Sequence, residues 1–143
     1  MSTRTTRSPE ETEALGAEVA AGLDPGAVVV ISGELGAGKT TFVRGACRAL
    51  GVAGAVTSPT FTIGRRYRGD RVAVAHLDLY RLAGIDDEEP ALLDDYLDAE
   101  TITFVEWPAG AADRLAAPTL EVRMSHAGAD ARVIDLESAS QGA

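Results

Sequence analysis

The chain has no asparagine, one lysine, one cysteine and one tryptophan in 143 residues. Each scarcity excludes something. A single cysteine closes no internal disulfide. With only two histidines beside it, there is no Cys/His cluster of the kind that holds zinc. Without asparagine or a second lysine, the N-K-x-D motif that commonly selects guanine is absent, which argues against a GTPase-like switch. No apolar run approaches the ~20 residues needed to cross a bilayer. Met1 to Glu11 is polar and lacks the apolar stretch of a secretory signal. Together these point to a cytoplasmic protein that does not engage a membrane. Positive charge is also short: 13 Lys and Arg against 22 Asp and Glu give a net −9. Affinity for nucleic acid comes largely from Lys and Arg on phosphates, so strong binding of RNA or DNA by this chain alone is not expected. A protein partner is easier to accommodate.

What is present reads as one domain over residues 1–143, with about 1–7 and 139–143 disordered. Hydrophobic content of 45% with 24% charged residues is ordinary for a globular protein. Ser8-Pro9-Glu10-Glu11 is a helix start: serine as N-cap, proline at the first helical position, glutamate three after the cap. Leu15, Val19 and Leu23 then fall on one helical face, with Glu18 toward water. Ala27 to Ser32 (AVVVIS) is the nearly continuous apolar run of a strand buried on both faces. A helix follows from about Lys39 to Leu50, with Phe42, Val43, Ala46, Cys47 and Leu50 as its inner stripe and Gly51 as C′ cap. Thr60 to Tyr67 and Val72 to Asp78 form a hairpin about Arg68-Gly69-Asp70-Arg71. Leu82 to Glu89 reads as loop, Ala91 to Leu97 and Pro108 to Leu115 as short helices. Ile102 to Glu106 is a buried strand, and Leu120 to Ser125 with Arg132 to Leu136 a final strand pair.

The informative stretch lies between the first apolar strand and its helix. Gly33-Glu34-Leu35-Gly36-Ala37-Gly38-Lys39-Thr40 fits G-x-x-x-x-G-K-[ST], the P-loop. Glycines let successive backbone N–H groups converge on an anion, and the following helix adds its positive end. Lys39 would reach the β- and γ-phosphates, and the Thr40 hydroxyl would ligate Mg²⁺. Lys39 is also the only lysine, against twelve arginines. A compact ammonium on a flexible stem suits a nest closed around phosphates better than a broad planar guanidinium. The elements and this motif together predict an α/β protein: a P-loop NTPase-like three-layer sandwich on a mixed sheet that includes antiparallel hairpin strands.

Hydrolysis needs a further carboxylate for the metal and something to orient water. Two acids end apolar strands, Asp78 and Glu106, where ligands of open α/β sheets collect. Spacing does not say which of them is the metal ligand. Thr60, in Ser58-Pro59-Thr60-Phe61, is either a loop threonine that senses the γ-phosphate as switch loops do or a proline-led strand entry. Trp107 stands ready to stack on a base or a partner, or to close a core edge. Arg81 is a candidate for phosphate charge. His76 and His126 read as structural or solvent-facing.

With these pieces assembled, the sequence resembles the TsaE family, also called the YjeE type: small P-loop ATPases of bacterial tRNA threonylcarbamoyladenosine (t6A) synthesis. The resemblance rests on GELGAGKTTFVRG (Gly33 to Gly45), TSPTFTI (Thr57 to Ile63), HLDLYRL (His76 to Leu82), DDYLD (Asp94 to Asp98) and FVEWP (Phe104 to Pro108). It implies that Glu34, Leu35, Gly36, Ala37, Gly38, Lys39, Thr40 and Thr41 hold ATP phosphates and Mg²⁺. It implies a switch-like role for Thr60 and assistance from Asp78 in metal binding. It implies metal binding or hydrolysis by Glu106, and a place for Trp107 near the nucleotide or the partner surface. It implies work alongside the TsaB–TsaD pair, which modifies tRNA, so that this chain meets tRNA through the complex. ATP hydrolysis would reset that complex between turnovers and would be weak in the isolated chain. Glu34 departs from the aspartate expected there, and Pro90 interrupts an acidic stretch before the tyrosine block. Two rival readings are a small-molecule or nucleotide kinase, which would need a lid the chain does not visibly carry, and a nucleotide-binding module without turnover.

Overall fold

The computed structural model describes residues 2–33, 38–53, 64–78, 99–106 and 119–138, and at Asp78 the backbone alone. The described residues form β1 (Ser2–Thr6), α1 (Pro9–Ala21), β2 (Val28–Gly33), α2 (Lys39–Ala49), β3 (Gly64–Arg68), β4 (Ala73–Asp78), β5 (Thr101–Glu106), β6 (Leu120–His126) and β7 (Arg132–Ser138). The expected loop at 82–89, the helices at 91–97 and 108–115, and the tail at 139–143 lie outside the described residues.

The strands make one mixed sheet in the order β1-β7-β6-β2-β5-β4-β3. β2 is parallel to β5 and β6, and β4 is parallel to β5. The edges are antiparallel: β3 on β4 at one side, β7 on β6 and β1 on β7 at the other. This is the α/β, P-loop NTPase-like mixed sheet that the sequence predicts. The apolar run of β2 is explained by its place: flanked by two parallel strands, it buries Val29, Val30 and Ile31 on both faces. β3 and β4 pair as the expected hairpin, closed by Gly69 N–H donating to the Val72 carbonyl at 2.9 Å, and residues 60–63 of its expected first strand lie outside the described residues.

α1 begins as anticipated. Ser8 Oγ accepts from Glu11 N–H at 3.1 Å, and Pro9 opens the helix. Glu11 reaches back as in a capping box, but accepts from Arg7 N–H at 2.8 Å, one residue before the cap. α2 ends in a Schellman motif. Gly51, at φ 87, donates to Arg48 O, and Val52 N–H donates to Cys47 O at 3.0 Å.

The N-terminus departs from expectation. Ser2–Thr6 is not frayed but is an edge strand paired with β7, with Ser2 opposite Leu136 and Thr6 opposite Arg132. Ser-Thr-Arg-Thr-Thr has no apolar alternation to announce a strand. Its order comes from backbone pairing and polar ties: Thr3 Oγ1 to Asp135 at 2.8 Å, and Arg4 to Glu18 of α1 at 2.7 Å. The buried hydroxyls of Thr6 and Thr12 share a hydrogen bond at 2.7 Å.

α1 and α2 pack on each other and cover one face of the sheet. Leu15, Phe42, Val43, Ala46 and Cys47 meet Val29, Ile31, Val74, Ile102, Phe104, Val122, Met124 and Ile134 in one core. The helices touch through glycines: a Cβ on Gly16 would strike the Phe42 carbonyl, and one on Gly45 the Glu13 carbonyl. This close approach holds α2 against α1, with its first turn tied to the ends of β2 and β5.

Candidate nucleotide-binding site

Gly38 is the N-cap of α2 at φ 95, ψ 22, a left-handed conformation that glycine adopts without steric cost. The N-cap residue makes no side-chain cap bond to this helix, unlike Ser8 of α1. An uncapped helix start directs N–H groups and the positive end of the dipole outward, which suits an anion. The next residue, Lys39, is buried, and its Nζ donates to the Gly33 carbonyl at 3.3 Å. Its charge therefore lies beside the end of β2.

Thr40 Oγ1 donates to Glu106 Oε2 at 3.1 Å, joining the first turn of α2 to the last residue of β5. Glu106 is 4% exposed. Register explains the meeting. Glu106 lies opposite Ile31 of β2 on one side and Asp78 of β4 on the other, so all three stand at the same end of parallel strands. Spacing left open which acid belongs to the loop, and of the two it is Glu106 whose described side chain touches Thr40. For Asp78 the position at the strand end is described and the side chain is not.

The residue that sequence reasoning missed is His76. It is fully buried, and its Nε2 lies 2.5 Å from Glu106 Oε2. Of the two expectations for His76, structural or solvent-facing, burial selects the structural one and adds a contact with a candidate site acid. Strand parity carries the signal: His76 follows Val74 by two residues and so shares its side of β4, the side that packs in the core. His126 is exposed, as expected. Thr41 is half-buried on the first turn of α2. Glu34, Leu35, Gly36, Ala37, Thr60, Arg81 and Trp107 lie outside the described residues.

Among the described residues, no group of three or more His, Cys, Asp or Glu is placed to hold a metal by itself. The donors present are two adjacent oxygens, the Thr40 hydroxyl and the Glu106 carboxylate. Such a set fits Mg²⁺, which takes one or two protein oxygens and completes its shell with phosphates and water. It does not suit zinc, which prefers nitrogen and sulfur.

Fold and site together define a P-loop NTPase-like protein. Comparison with known proteins narrows this. The family described as "Threonylcarbamoyl adenosine biosynthesis protein TsaE" matches residues 6–134. A Bacillus subtilis relative named tRNA threonylcarbamoyladenosine biosynthesis protein TsaE is 39% identical over 129 residues, 90% of this chain and 80% of its own. A Streptomyces coelicolor relative of the same name is 44% identical over 119 residues, 81% of this chain and 80% of its own. The crystal structure of Bacillus subtilis YdiB superposes with a TM-score of 0.77 at 34% identity, covering 96% of this chain and 85% of that one. The chain belongs to the TsaE family of tRNA threonylcarbamoyladenosine biosynthesis proteins.

Proposed function

We propose that this chain is a single-domain cytoplasmic ATPase that binds ATP with Mg²⁺ at the β2–α2 junction and serves the TsaB–TsaD pair in t6A formation, meeting tRNA only through that complex. The observation that carries the ATP site is the conjunction at the start of α2. A buried lysine, an uncapped helix N-terminus and a hydroxyl–carboxylate pair stand at the carboxyl ends of parallel strands. Family membership supports the place in t6A synthesis.

In this reading Lys39 neutralises the β- and γ-phosphates, while N–H groups at the α2 start receive phosphate oxygens. Thr40 and Glu106 hold Mg²⁺, Asp78 assists, and the metal, when bound, stabilises charge developing on the transferred phosphoryl. Residues 34–37 complete the cradle, Thr60 reports the γ-phosphate, and Trp107 borders the nucleotide or partner surface. Turnover in the isolated chain is slow because positioning of the water is completed by partners.

Calorimetry with ATP and Mg²⁺ tests the site. Wild type should bind, and Lys39→Ala should lose both binding and hydrolysis. Near-normal turnover in that variant would overturn the assignment.

A further inference from the structure

Glu106 uses one oxygen for both of its contacts. Oε2 accepts from Thr40 Oγ1 at 3.1 Å and lies 2.5 Å from His76 Nε2. Among the described residues, Oε1 has no partner. The ring of His76 is fully enclosed, and its Nδ1 is buried without a hydrogen-bond partner among the described residues. A carboxylate oxygen accepts, so Nε2 is the donor in this bond. A buried polar ring with a single hydrogen bond is costly unless that bond is needed. Packing alone would favour an apolar residue beside Phe104, which lies opposite His76 in register.

We infer that His76 is a positioning residue for Glu106. It pins Oε2 against Thr40, fixes the plane of the carboxyl group, and leaves Oε1 as the oxygen turned over to a metal ion or its water. This rests on the proposed Mg²⁺–ATP site. The logic is that of outer-shell partners in metal sites, which orient a ligand without touching the ion, and whose loss typically costs about 10–100-fold in metal affinity.

The test is Mg²⁺ titration of the protein with a non-hydrolysable ATP analogue, followed by calorimetry, with thermal melts as a folding control. His76→Leu keeps much of the volume and removes the donor. It should weaken Mg²⁺ binding about 10–100-fold while binding of the analogue without metal stays unchanged. His76→Gln, whose amide nitrogen reaches the position of Nε2, should restore affinity to within a few-fold of wild type. His76→Asn, whose amide stops at the Nδ1 position, should behave like the leucine variant and replaces it if leucine does not fold. Equal losses in the glutamine and asparagine variants, or no loss in any, would overturn the inference. Failure of wild type to bind the analogue with Mg²⁺ would instead overturn the site itself.

Discussion

Lys39 shows how far a single residue can be read. Its uniqueness against twelve arginines and its place after Gly38 mark it for phosphate, and it stands buried at the start of α2. Glu106 was half legible: its strand-end position was plain, its contact with Thr40 was not, because hydrogen-bond partners 66 residues apart leave no local trace. His76 was not legible as a site residue at all, since a lone histidine in an apolar strand is more often packing than function. Cys47 is the opposite case, read as core and found fully buried. Burial pushes its thiol up to about 12 from an ordinary 9.0, because the charged form is stripped of water. The sign follows. The stability contributed by the neutral thiol is fully present below the ordinary value and is lost as pH rises from 9.0 toward about 12. Cys47 should therefore resist a disulfide reagent at pH 8 in the native protein and react at once in denaturant, as followed by thiol labelling. Prompt native labelling would contradict the packing described.

At the level of elements, punctuation was read well and polar pairing poorly. Ser8, Pro9 and Gly51 act at helix ends through local backbone rules, so their roles survive without knowledge of the rest. β1 could not be seen, because it owes its order to a strand more than 125 residues away in the chain and to polar ties, not to an apolar alternation of its own. The α1–α2 contact belongs with it. In an exposed helix, Gly→Ala gains about 0.5–1 kcal/mol of helix propensity. At Gly45 the added methyl would meet the Glu13 backbone, which cannot yield as a side-chain tip would. Overpacking of this kind costs about 1–3 kcal/mol and outweighs the propensity. Gly45→Ala should thus lower the denaturation midpoint, and because α2 carries the proposed phosphate-binding residues, it should also weaken ATP binding. An unchanged or raised midpoint would show that the helices can separate freely.

For the whole molecule, the charge of −9 sets the terms of association. An acidic surface repels RNA and leaves protein contacts as the natural route to the modification machinery. Size-exclusion chromatography with TsaB and TsaD should yield a complex, favoured by ATP, and the pair should accelerate ATP turnover. Absence of a complex with and without nucleotide would remove the proposed partnership while leaving the ATP site standing. The sequence by itself determined the fold class and the family and marked the proposed phosphate-binding junction, because each rests on short-range pattern: apolar runs, helix ends and a motif of eight residues. Only the tertiary structure decided that Thr40, Glu106 and His76 form one chain of contacts and that the N-terminus joins the sheet. Those facts depend on strand register and helix docking, which bring distant residues within bonding range and are written in no single segment.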